Sequence, residues 1–66
     1  MKQITLNKEI YSQDAVVRAV KDYKQFARIT IADKNDYWIV KFFACKYDEL
    51  RTIKEFENYL IDLENN

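Results

Sequence analysis

The sequence predicts a small α+β fold of order β-α-β-β-α, with a three-stranded antiparallel-type sheet of order 1-3-2 and two helices packed on one face. Three observations carry that prediction. Residues 3–6 and 27–33 alternate apolar and polar side chains, and residues 37–44 are apolar on both faces. The stretches between and after them place apolar residues at helical spacing.

In residues 3–6, Ile4 and Leu6 share one side of a short strand. A helix is predicted over 13–25. Ser12 is a good N-cap, because its hydroxyl can accept from a first-turn N–H, and Asp14 suits the positive helix end. Tyr11 and Val16 stand at hydrophobic-staple spacing. Val16, Ala19, Val20 and Tyr23 form the inward stripe, with Arg18, Lys21, Asp22 and Lys24 outside.

In the second strand Ile29 and Ile31 point inward, and Arg28 and Thr30 outward. Residues 33–36, DKND, form a turn without glycine, so Asn35 or Asp36 takes any left-handed position. The third strand carries Trp38, Val40 and Phe42 on one face and Tyr37, Ile39 and Phe43 on the other. A strand apolar on both faces belongs in the middle of a sheet. A second helix is predicted over 48–64, capped by Asp48 or begun a turn later at Thr52 and Glu55, with Leu50, Ile53, Phe56, Leu60 and Leu63 as its stripe. A right-handed crossover from the first strand to the second, with the third between them, gives the order 1-3-2.

Composition narrows the function. The 66 residues include no histidine, glycine or proline and a single cysteine. Without histidine the commonest general base is absent, and without glycine there is no phosphate-cradling loop. One cysteine without histidine excludes the usual zinc sites and any intramolecular disulfide, so no cofactor is expected. The chain is one domain by length, and 48% hydrophobic content argues for a core rather than disorder. No apolar run approaches the roughly 20 residues of a membrane span. The lone Cys45, with no secretory segment before it, points to a reducing cytoplasm.

Eleven basic and eleven acidic residues cancel, which argues against nucleic acid as a partner. Their distribution is uneven: residues 1–34 hold seven basic and four acidic side chains, and residues 35–66 hold four and seven. From Glu55 onward the sequence holds Glu55, Glu57, Asp62 and Glu64 and no basic residue, which reads as a solvated helix face or as a docking surface for a basic partner.

With the helices on the face of Ile4, Leu6, Ile29, Ile31, Val40 and Phe42, the other face shows Thr5, Arg28, Thr30, Tyr37, Ile39, Lys41 and Phe43. That is an apolar centre with a basic edge, on a chain too short for a third layer. Such a patch marks a contact surface for a partner or for a second copy. The open edges of strands one and two are a further docking route, by addition of a partner strand. Asn58 and Asp62, one turn apart on the last helix, share a face and join the candidates.

Catalytic readings are weak. Cys45 beside Lys46 lacks a base, and the carboxylate pairs Asp33/Asp36 and Asp48/Glu49 sit where turns and helix starts favour acids anyway. Trp38, Phe42 and Phe43 could stack bases, but the missing basic groove favours core packing.

Two stretches together carry a resemblance. YSQDAV, continuing to RAVKDY, presents Tyr11, Ser12, Ala15, Val16 and Ala19; EFENYLID presents Phe56, Asn58, Leu60 and Asp62. In order and spacing over nearly the whole chain, this is similar to the HxsD-like small proteins of His-Xaa-Ser peptide-modification systems. The family pattern continues after the last helix with a Leu-Arg-type tail, where this sequence reads Glu64, Asn65, Asn66. A contact made by that tail is therefore not expected here. The resemblance implies an accessory role beside a radical-SAM maturase, holding the precursor peptide or bracing the enzyme, with the iron–sulfur cluster carried elsewhere. The expected function is a non-enzymatic accessory or scaffold protein, monomeric or weakly homodimeric, that binds a protein or peptide. The alternative is a domain that self-associates through the open sheet face.

Overall fold

In the computed structural model, which describes residues 2–65, the predicted elements appear in the predicted order. Alternation builds β1 (Lys2–Asn7), β2 (Arg28–Lys34) and β3 (Tyr37–Phe43). β3 pairs antiparallel with both neighbours, giving the sheet order β1-β3-β2. The register sets Ile4 and Ile31 across from Val40, and Thr5 and Ala32 across from Ile39. β2 and β3 join through Asn35 and Asp36, and Asn35 takes the left-handed backbone with φ 47°.

Helix α1 (Gln13–Asp22) starts where Ser12 predicts, its hydroxyl accepting from the Ala15 N–H at 3.3 Å. It ends three residues before the predicted limit of 25. The Tyr23 carbonyl accepts from both Phe26 and Ala27, which turns the chain back toward β2 and sets the Tyr23 and Phe26 rings edge to face at 5.5 Å. Helix α2 (Glu49–Glu64) begins behind Asp48, whose carboxylate accepts from the Arg51 N–H at 2.9 Å. The later start is not used: Thr52 is buried inside the helix, its hydroxyl donating to the Asp48 carbonyl at 2.8 Å.

Both helices lie on one face of the sheet, and the core forms between the layers. Leu6, Val40 and Phe42 from the sheet meet Ala15, Val16 and Ala19 from α1 and Ile53, Phe56 and Leu60 from α2. Phe42 and Phe56 pack edge to face at 5.1 Å. Leu50 departs from its predicted place in this stripe, being 65% exposed. At roughly 100° per residue it lies more than a quarter turn from the arc centred on Phe56 and Leu60. At the other end of the sheet Lys8 covers the Trp38 ring at 4.4 Å and pairs with Asp33, while the indole N–H donates to the Tyr11 carbonyl at 3.4 Å. Trp38 and Phe42 thus serve packing rather than base stacking.

Among the described residues, no helix is long and apolar enough to cross a membrane.

Candidate protein-binding surface

The antiparallel register divides the sheet cleanly. Residues paired across strands share a face, so Thr30 joins Lys41, Ala32 and Thr5 join Ile39, Lys34 and Asn7 join Tyr37, and Arg28 joins Phe43. None of these side chains belongs to the core cluster beneath the helices. Tyr37 is 45% exposed; Ile39, Lys41 and Phe43 are half-buried; Arg28 and Thr30 are exposed. Half-burial here comes from neighbours within the sheet, since both helices pack on the opposite side.

Along β3 this surface runs Tyr37, Ile39, Lys41 and Phe43, so Lys41 lies between two apolar side chains, with Ala32 beside Ile39 and Phe43 at the strand's end. Among the described residues its charged groups are Arg28, Lys34 and Lys41, and all three are cationic. Gln3, Thr5 and Asn7 of β1 extend it without charge. Of the predicted site residues, six gather on this face: Arg28, Thr30, Tyr37, Ile39, Lys41 and Phe43. Asn58 and Asp62 do not join them. Both are exposed on α2, in the other layer. Ala32 and Lys34 were missed by sequence reasoning, although counting two and four residues on from Thr30 finds both; Lys34 was hidden by its place in the turn.

The acidic run of the last helix is only partly available to a basic partner. Glu55 pairs with Arg51 at 3.2 Å. Glu64 reaches to Ser12, accepting from its N–H at 2.8 Å and its hydroxyl at 2.9 Å. Glu57 and Asp62 remain on the exposed side.

Between the end of α1 and the start of α2 lies a cleft of about 350 Å³ walled by Tyr23, Phe26 and Tyr47, with Asp48, Arg51 and Glu55 at its rim. The aromatic residues are 3 and 21 positions apart, so no local pattern in the sequence marks the cleft. Its charges are already engaged: Asp48 caps α2, and Arg51 and Glu55 pair with each other.

Cys45 follows β3 and is half-buried. Burial pushes its thiol pKa up, the nearby Glu49 carboxylate pushes the same way, and the thiolate is disfavoured. That is opposite to what an activated nucleophile requires. No group of three or more metal-ligating side chains forms among the described residues.

Comparison with known proteins returned no matching family model, no matching curated protein and no matching solved structure.

Proposed function

We propose that this chain is a non-enzymatic accessory or scaffold protein that binds another component of a ribosomal-peptide modification system, a radical-SAM maturase or its precursor peptide. The contact surface is the open sheet face. One observation carries the reading: Tyr37, Ile39 and Phe43 lie outside the core on the open face, interspersed with Arg28, Lys34 and Lys41 and with no acid among the described residues there. Such a surface fits a partner that presents apolar side chains flanked by carboxylates. The HxsD-like pattern at Tyr11, Ser12 and Ala15 and at Phe56, Asn58 and Asp62 supplies the biological setting.

The same charges weigh against a homodimer through this face. A two-fold contact would bring Arg28, Lys34 and Lys41 of one copy against the same three of the other, with no anion between them. Three cations also fall short of the phosphate-tracking stripe of a nucleic-acid protein.

The test is NMR titration of the labelled protein with the precursor peptide and with the maturase. Shifts concentrated at Thr30, Ile39, Lys41 and Phe43, weakening as salt is raised, are the expected result. Saturating amounts of both partners with no shift on the sheet would overturn the proposal.

A further inference from the structure

Helix α2 carries a second outward surface that neither the core nor the sheet face uses. Leu50 is 65% exposed and Ile61 is 46% exposed, and Lys54 and Glu57 between them are exposed as well. Steps of four, three and four residues place all four on one stripe of the helix, the spacing of a coiled-coil seam. The stripe faces away from α1. Tyr59, whose hydroxyl donates to Asp22 of α1, lies roughly half a turn around α2 from it at about 100° per residue. Among the described residues α1 is the only other helix.

The stripe is also self-complementary. Read from either end its spacing is the same, and its order is apolar, charged, oppositely charged, apolar. Two copies laid antiparallel about a two-fold axis would set Leu50 against Ile61 of the other copy and Lys54 against Glu57, each pair occurring twice. No like charges meet, in contrast to the sheet face. We infer that α2 is a self-association surface on which a second copy of this chain docks antiparallel, with Lys54 and Glu57 fixing the register between the two apolar contacts.

Asn58 borders the stripe and adds a polar group to its rim. The surface is narrow, a single helix face with four apolar side chains per dimer, so the dimer is weak and forms only at high concentration. It leaves the sheet face of both copies free, and it stands or falls independently of the proposed function.

Charge exchange tests it without touching the core. Sedimentation equilibrium up to millimolar protein should show a monomer–dimer equilibrium for the native chain. Lys54→Glu alone sets carboxylate against carboxylate at both symmetric contacts and should weaken the dimer by about tenfold, as should Glu57→Lys. The double exchange, Lys54→Glu with Glu57→Lys, restores opposite charges across the axis and should restore association. A chain monomeric at every concentration overturns the inference. So does a dimer that ignores the single exchanges, or one that the double exchange fails to rescue.

Discussion

Glu64, in the last turn of α2, reaches back 52 residues to accept hydrogen bonds from the backbone N–H and the hydroxyl of Ser12, at 2.8 and 2.9 Å. Ser12 is itself the N-cap of α1, so one carboxylate braces the start of one helix with the end of the other. The negative charge sits where the α1 dipole is positive.

The brace predicts a measurable but modest stability effect. Glu64→Ala removes both acceptor contacts at an exposed site and should cost about 0.5–1 kcal/mol, a fall in Tm of a few degrees. Ser12→Ala should cost about 1 kcal/mol, since the cap is lost too. The double variant should be less destabilised than the sum of the singles. Strict additivity in thermal melts would show that the two residues do not act together.

Adjacent phenylalanines should behave oppositely. Phe42 is 0% exposed between the layers, whereas Phe43 faces out of the sheet. Phe42→Ala should cost about 3–5 kcal/mol, comparable with all the stability a chain this short commands, and leave it unfolded. Phe43→Ala should retain the native circular dichroism and amide spectrum while weakening partner binding. If both variants unfold, Phe43 belongs to the core and not to the contact surface.

Ala44 holds a left-handed backbone, φ 47°, where the chain leaves β3. Alanine in that region carries a steric cost of about 1–2 kcal/mol that glycine avoids. Ala44→Gly should therefore raise stability by roughly 0.5–1 kcal/mol after the added freedom of the unfolded glycine is counted, seen as a higher denaturation midpoint. A lower midpoint would contradict the strained geometry.

Alkaline conditions should destabilise the fold. Tyr59 has its pKa raised by its hydrogen bond to Asp22, and Tyr23 and Cys45 have theirs raised chiefly by burial. All three hold their protons more tightly when folded. Their contribution is complete below the unfolded-state values, about 8.5 for the thiol and about 10 for the phenols, and is lost as pH rises past them. Urea midpoints measured from pH 7 to 11 should fall through that window. Tyr59→Phe should make the fall shallower, and a flat profile in the native chain would refute the linkage.

The same burial makes Cys45 a slow nucleophile. Its alkylation by iodoacetamide at neutral pH should run slower than that of a free cysteine and speed up on unfolding. Rapid native-state alkylation would reopen a reactive role for the thiol.

Local rules read along the chain were enough for the elements and their faces. Ser12 and Asp48 cap the helices they were expected to cap, and Asn35 takes the left-handed turn position. Alternation alone separated Val40 and Phe42 from Ile39 and Phe43, because a strand sends successive side chains to opposite sides. What tertiary structure decided is which of several locally equivalent residues meet. Leu50 is expected in the apolar stripe, but its helical phase sets it off the buried arc, and only the docked helix shows which arc is buried. Glu64 looks like one more acid in a solvated run until the antiparallel helices bring Ser12 to it. The aromatic cleft exists only because the end of α1 and the entry to α2 converge. Spacing along a chain is a one-dimensional quantity, whereas these contacts depend on how two elements are docked, and that is set by the packing of the whole core.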